Sequence, residues 1–161
     1  MPVLVSAGGI ILPVYAMLDC AATCSAISLD LAHRLDARID TLPINLRTFG
    51  YAELSQRDVI SFTVTDLMET FELEIKNALV HELLSTENES PPRNYMTRRF
   101  EHLNDVRFNE LTDPLIGVIL DAKFAHTWMV PLASRSGKST EPIAILTKFG
   151  WALAVGTPSQ G

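Results

Sequence analysis

The sequence predicts a mostly β fold with one or two short helices. Apolar residues fall in short runs such as Ile10 to Leu18, rich in branched and aromatic side chains, which is typical of buried strands. In Val59 to Thr65 apolar and polar side chains alternate, which is the period of a half-buried strand. Gly8-Gly9 separates the first two apolar runs, and this residue pair favours a tight hairpin turn.

Taken in order along the chain, nine segments carry a strand pattern. The predicted strands are Val3–Val5, Ile10–Leu18, Pro43–Thr48, Val59–Thr65, Thr70–Val80, Pro114–Leu120, Trp128–Pro131, Ile143–Thr147 and Trp151–Val155. The strictest alternation lies in Thr70–Val80, where Phe71, Leu73 and Ile75 face one side. A polar loop is predicted at Ser134–Thr140.

Two short helices and one irregular segment separate these strands. Ser28 fits a helix N-cap, because a two-turn stripe of Leu31, Ala32 and Leu35 follows it. A second helical segment is predicted at Asp121–His126. Ser85–Asp113 has no periodicity and is long for a loop in a compact domain, so its scattered aromatic residues predict an ordered wrap along the surface.

Composition narrows the class of protein. The 161 residues fit a single domain, residues 1–161, with 47% hydrophobic residues and a formal charge of −6. That charge argues against a broad nucleic-acid interface, and no apolar run approaches the ~20 residues of a membrane span. Cys20 and Cys24 lie too close together for a framework disulfide and lack a second ligand pair. We therefore expect a cytoplasmic protein without a metal or another cofactor, and no signal peptide, since a basic leader is absent.

A single carboxylate, Asp19, ends the apolar strand Ile10–Leu18 on a turn of small residues. The residues that follow it are Cys20, Ala21, Ala22 and Thr23. A carboxylate at the end of a buried strand is where the pKa of an acid can be tuned for chemistry. The alternative is a structural aspartate that accepts hydrogen bonds from the backbone amides of its own turn. Both readings remain open at this point.

Three sequence blocks resemble a known family. LDCAATCSAIS before an amphipathic helix, with LIGVILDAKF roughly a hundred residues later, resembles half of a retropepsin. FEHLNDVRFNELTDPLIGVILDAKF and PIAILTKFGWALAVG are similar to blocks of one branch, the aspartic peptidase domain of BEL/Pao-type retrotransposon polyproteins. The blocks cover most of the chain in the order of that family. The resemblance implies a closed β-barrel that forms one half of an acid protease.

The resemblance also implies a mechanism and a partner. Acid proteases use two carboxyl groups that share a proton, and the chain is too short for two such lobes. A two-fold homodimer in which each copy contributes Asp19 is therefore expected, with strand Trp151–Val155 as a candidate contributor to the interface. An extended peptide or polyprotein would be the substrate. Asp121, the rival second acid, suits a helix N-cap better.

Substrate binding would fall to the hairpin between Thr41 and Val64. Its tip, Phe49, Gly50, Tyr51 and Ala52, occupies the place of the flap in the family. A flap closes over an extended peptide, supplies main-chain hydrogen bonds and excludes water. The alternative is an ordinary hairpin turn with two exposed aromatic side chains.

The chain departs from the family at the turn itself. Cys20 replaces the usual Ser or Thr, whose hydroxyl ties the two active-site loops together, and Ala21 replaces the usual Gly. Thr23 has the wrong spacing to restore the same bond. An inactive retropepsin fold that serves as a dimerisation or peptide-binding module is therefore the second hypothesis, and an unrelated β-barrel interaction domain is the third. A cysteine nucleophile would need a positioned histidine, and the sequence places none of His33, His81, His102 and His126.

Overall fold

The prediction of a mostly β chain with few short helices is confirmed. The computed structural model describes residues 1–48, 50–82, 84 and 91–154. Within these residues the strands are β1 (Pro2–Ala7), β2 (Ile10–Leu18), β3 (Ala26–Ser28), β4 (Asp40–Thr48), β5 (Tyr51–Thr65), β6 (Glu72–His81), β7 (Ile116–Leu120), β8 (Ala133–Arg135), β9 (Ile143–Thr147) and β10 (Gly150–Ala154). The helices are α1 (Leu29–Arg34), α2 (Asn94–Thr97) and two 3₁₀ helices, Glu101–Leu103 and Ala122–Thr127. No helix in this part of the chain is long and apolar enough to cross a membrane.

The strands form one large and one small sheet. Seven strands pair in the order β1-β2-β7-β3-β6-β5-β4, and β1 also pairs with β5 over three residues, Leu4–Ser6. β7 lies between β2, to which it runs parallel, and β3, to which it runs antiparallel. The small sheet has the order β10-β9-β8. The chain segment that links β2 to β3 therefore has to pass around the end of β7.

The first hairpin and the first helix form as the sequence predicts. Gly8 and Gly9 both have positive φ, +57° and +87°, which the tight turn between β1 and β2 requires. Ser28 caps α1, because its hydroxyl accepts a hydrogen bond from the backbone N–H of Leu31. A Cβ atom on Gly117 would lie 2.9 Å from Cδ2 of Leu31 and 3.1 Å from Cβ of Val14. A side chain at this position of β7 would therefore force the side chain of Leu31 and strand β2 at Val14 to shift.

The irregular segment is an ordered wrap, as predicted, over its described residues 91–113. Leu103, Val106 and Phe108 are buried and form a second apolar cluster with Ala144 of β9. The side chain of Asn94 bonds to both backbone groups of Phe108, which fixes the wrap to itself. Residues 85–90 of the predicted segment lie outside the described residues.

Near the small sheet one predicted strand is wrong and one predicted loop begins later than expected. Trp128–Pro131 is not a strand, because the backbone N–H groups of Trp128 and Met129 both donate to Ala125 and complete a helical turn. The short strand β8 runs from Ala133 to Arg135, so the first two residues of the predicted polar loop Ser134–Thr140 are in a strand and the rest form a loop. An apolar run has the same pattern whether it is buried as a strand or exposed after a helix.

A buried carboxylate organises the turn between β5 and β6. Asp66 is 6% exposed and accepts hydrogen bonds from the backbone N–H of Thr70 (2.7 Å), the hydroxyl of Thr70 (2.8 Å) and the backbone N–H of Phe71 (2.8 Å). Burial alone would raise the pKa of Asp66, but the hydrogen bonds from Phe71 and Thr70 outweigh it and hold the pKa below its usual range. The ionised form therefore stabilises the fold.

We predict that Asp66→Asn lowers the free energy of unfolding by about 1–3 kcal/mol at neutral pH. Because the folded pKa is depressed, this stabilisation is present above the unfolded pKa and is lost as the pH falls through the folded pKa. The difference between the two proteins should therefore shrink in acid. Urea unfolding over a pH series measures it, with the exposed Glu74→Gln as control. A deficit that is equally large in acid would contradict the assignment.

Candidate active site

Asp19 lies where β2 ends beside β7. Its backbone N–H donates to the carbonyl of Leu120 (3.0 Å), and its own carbonyl accepts from the N–H of Ala22 (3.2 Å), which closes a tight turn. The residue is half-buried. Because β2 and β7 run parallel, their carboxyl ends meet at this edge of the sheet. The turn therefore holds Asp19 at the point where the chain leaves the core.

The two oxygens of the Asp19 carboxylate have different surroundings. Oδ1 accepts a hydrogen bond from the backbone N–H of Ala21 at 2.9 Å. Oδ2 receives no hydrogen bond from residues 1–48, 50–82, 84 and 91–154. The structural reading, an aspartate bound to an amide of its own turn, is thus correct for one oxygen. The same bond orients the carboxylate and leaves the second oxygen free for a partner or a substrate.

A buried Ser25–Asp121 pair fastens this turn to the chain beneath it. The hydroxyl of Ser25 donates to Oδ2 of Asp121 (3.1 Å) and accepts from the N–H of Asp121 (3.2 Å). Oδ1 of Asp121 accepts from the N–H of Lys123 (2.7 Å), so the predicted N-cap role is confirmed. The N–H of Ala122 also donates to the carbonyl of Ala22 (3.1 Å). The turn is therefore held at both ends.

The substituted turn residues adopt ordinary conformations. Cys20, Ala21 and Thr23 are exposed, whereas Ala22 is half-buried. Asp36, Glu69 and Asn77 are the described non-glycine residues with positive φ, so Ala21 needs no left-handed backbone. The methyl group at this position is thus accommodated without backbone strain.

An open cleft lies beside Asp19. Its other lining residues are Ala22, Cys24, Ala26, Leu79, His81, Leu84 and Ile119. The sequence did not indicate that Cys24 and His81 share a cleft with Asp19, because the parallel pairing of β3 with β6 brings them there. In the described part of the chain neither thiol forms a hydrogen bond with a histidine.

Gly50, Tyr51 and Ala52, three of the four predicted flap residues, lie at the tip of a projecting hairpin. Thr48 pairs with Tyr51 across the tip, where Gly50 has a φ of +77°. Tyr51 and Ala52 are exposed, and Phe49 lies outside the described residues. Over residues 41–58 the two strands pair with each other alone among the described strands. Within one copy the structure does not bring this tip into hydrogen-bonding contact with the described Asp19 turn.

Within the described ranges, no group of three or more His, Cys, Asp or Glu side chains could hold a metal ion. Comparisons with protein-family models, with curated proteins and with solved structures find no match for this chain.

We predict that Ser25→Ala loosens the Asp19 turn and lowers the free energy of unfolding by about 1–3 kcal/mol, because Asp121 loses both bonds to the hydroxyl while it stays buried. Chemical denaturation measures the loss. Ser6→Ala on β1 is the control, since no side-chain hydrogen bond of Ser6 to the described residues is found. Equal stability of the two variants would show that the pair does not anchor the turn.

Proposed function

We propose that this chain is one half of an acid peptidase that is completed by a second copy. More particularly, it would be a homodimeric aspartic endopeptidase of the retropepsin type, of BEL/Pao retrotransposon origin. One observation carries the proposal. The Asp19 turn connects two strands, β2 and β3, that flank β7, and Ser25 and Asp121 fasten it from beneath. A half-buried carboxylate, whose Oδ2 receives no hydrogen bond from the described residues, is thus held at the carboxyl ends of β2 and β7.

The strand pairing supports a barrel for this half. Hydrogen-bonded neighbours run from β1 through β2, β7, β3, β6 and β5, and β5 pairs with β1 again. The last pairing is short, from Leu4–Ser6 to Thr63–Thr65. Val5 and Val64, which face each other in it, are fully buried. We propose that this pairing closes the barrel that the family resemblance implies.

Two copies would supply the chemistry that one copy lacks. Two carboxyl groups a few ångströms apart cannot both ionise cheaply, so an Asp19 pair would share one proton. The ionised Asp19 would take a proton from water as the water oxygen attacks the scissile carbonyl carbon. The protonated Asp19 would donate its proton to the carbonyl oxygen. Breakdown of the tetrahedral intermediate would then return a proton to the leaving amine.

The hairpin formed by β4 and β5 fits the role of a flap. Leu42, Ile44 and Leu46 alternate along β4 and share a face with Tyr51 of β5. A two-stranded ribbon is only marginally stable by itself, so this face would gain stability by closing over a bound peptide. The cleft beside Asp19 would take an apolar side chain of that peptide, because Ala26, Leu79 and Ile119 line it.

The substrate would be a polyprotein or, in a domesticated protein, a few host proteins. The two free cysteines, Cys20 and Cys24, suit a reducing compartment, and we propose the cytoplasm. The mechanism calls on side chains and water alone, with no cofactor.

We predict that the protein cleaves apolar peptides in acid and loses activity above neutral pH, because the Asp19 pair must hold one proton. Asp19→Asn should reduce the rate by about 10²–10⁴-fold. Incubation with a peptide library between about pH 4 and pH 7 tests this, with the exposed Asp30→Asn as control. Equal cleavage by wild type and Asp19→Asn would rule out the proposed mechanism.

The second candidate function is an inactive dimerisation or peptide-binding module. Cys20 favours it, because an exposed thiol is a weak donor where the family uses a hydroxyl to join the two loops. Ala21 does not favour it, since its backbone is unstrained.

We predict that Cys20→Ser raises the cleavage rate or tightens the dimer by up to about tenfold, because each restored hydrogen bond contributes about 0.5–1.5 kcal/mol. Ala21→Gly should give no gain, since there is no strain to relieve. A cleavage assay and a thermal melt on both single variants and on the double variant separate the two functions. Lower stability of the double variant, with no cleavage at any pH, would favour the module.

A further inference from the structure

An apolar segment is exposed immediately after the second 3₁₀ helix. Met129, Val130 and Leu132 are 66%, 80% and 68% exposed, and Pro131 between them is exposed as well. We call these four residues the 129–132 segment. Contiguous exposed apolar surface of this kind marks an interaction site more often than chance exposure does.

The backbone of this segment lies on an open sheet edge. The N–H of Leu132 donates to Leu146 of β9 (2.8 Å), so the segment extends the line of β8. Val130 makes no backbone hydrogen bond to the described residues, and Pro131 has no N–H group. At the far end of β8 the side chain of Arg135 forms a two-pronged ion pair with Asp105 of the wrap. The charged residues of this edge thus lie at its far end, and the apolar residues lie at the end next to the 3₁₀ helix.

The 129–132 segment is also connected to the candidate site through the second 3₁₀ helix. The 3₁₀ helix that precedes it starts at Ala122, which bonds to Ala22 of the Asp19 turn. Six residues at about 2 Å per residue span roughly 12 Å. The buried Asp121 caps the start of this helix, so the segment is joined to the Asp19 turn by one six-residue helix with a fixed start.

We propose that the 129–132 segment, with the open edge of β8, is the surface on which a second copy of this chain docks. This inference rests on the proposed function, because one copy supplies one Asp19 and the site is incomplete without another. Each copy carries a net charge of −6, so a contact surface without carboxylates avoids bringing like charges close together, and residues 129–132 contain none. A two-fold axis brings the same patch of each copy together, and an apolar patch is complementary to itself.

The C-terminal strand is a weaker candidate for this contact. Trp151 and Leu153 of β10 already pack against the cluster around Leu103, and Ala152 packs against the main core. Residues 150–153 are half-buried in the single copy. The expectation that Trp151–Val155 contributes to the interface is thus less favoured than the 129–132 segment, and Val155 lies outside the described residues.

A pair of charge substitutions tests the surface. Val130 and Met68 are both 80% exposed, and Met68 lies on the turn between β5 and β6. We expect Val130→Lys to weaken the dimer at least about tenfold in sedimentation equilibrium, because two like charges would meet near the axis. Met68→Lys should leave the dimer unchanged. Leu132→Lys is a second variant should Val130→Lys fold poorly.

The outcomes separate this inference from the proposed function. A wild-type dimer that Val130→Lys and Leu132→Lys leave intact would overturn the surface and leave the peptidase proposal standing. A wild-type monomer at high micromolar concentration would overturn both. Oxidative cross-linking gives an independent measurement: Val130→Cys should link two copies above the wild-type background, and Met68→Cys should not. Equal linking by both variants would also overturn the surface.

Discussion

The buried hydrogen bonds between Ser25 and Asp121 are the interaction on which the rest of the site depends. A carboxylate that is 2% exposed is costly unless its oxygens are hydrogen-bonded, and here Ser25 and the N–H of Lys123 satisfy both of them. The hydrogen bonds that satisfy the Asp121 carboxylate join segments about a hundred residues apart in the chain. The turn that carries Asp19, the end of β7 and the start of the second 3₁₀ helix become one rigid unit.

The parts of the fold that the sequence predicts are those with a local cause. The Gly8-Gly9 hairpin needs positive φ at two adjacent residues, and α1 needs a cap at Ser28. Both features can therefore be predicted from a few consecutive residues. The three-residue strand β3 escaped prediction, because its pairing with β6 and β7 is entirely long-range. Trp128–Pro131 was misassigned for a related reason: apolar character alone does not reveal whether a run is buried.

The candidate site likewise has residues that the sequence predicts and contacts that it does not. Asp19 and its small neighbours stand out in the sequence, because an isolated carboxylate ends an apolar run, and Asp121 is recognisable as a helix cap. The hydrogen bonds between Ser25, next to the Asp19 turn, and Asp121 cannot be predicted from the sequence. Ser25 has no distinguishing local pattern, and it reaches Asp121 only because β7 lies between β2 and β3. The cleft that joins Asp19 to Cys24 and His81 likewise depends on strand order rather than on any local pattern.

The length of β5 has a mechanical consequence for the hairpin that projects from the sheet. The strand runs for 15 residues, mostly exposed up to Asp58, and its first buried residues are Val59 and Ile60. No loop separates the two halves, so the projecting half would tilt as a unit about the point where pairing with β6 begins, next to a register shift between Ile60 and Phe62. From there to Tyr51 the strand extends about 26 Å, and a tilt of about 10° at its root would carry the tip about 4–5 Å. Leu79, which pairs with Val59, also lines the cleft beside Asp19, so the pivot of the hairpin and the cleft share a residue.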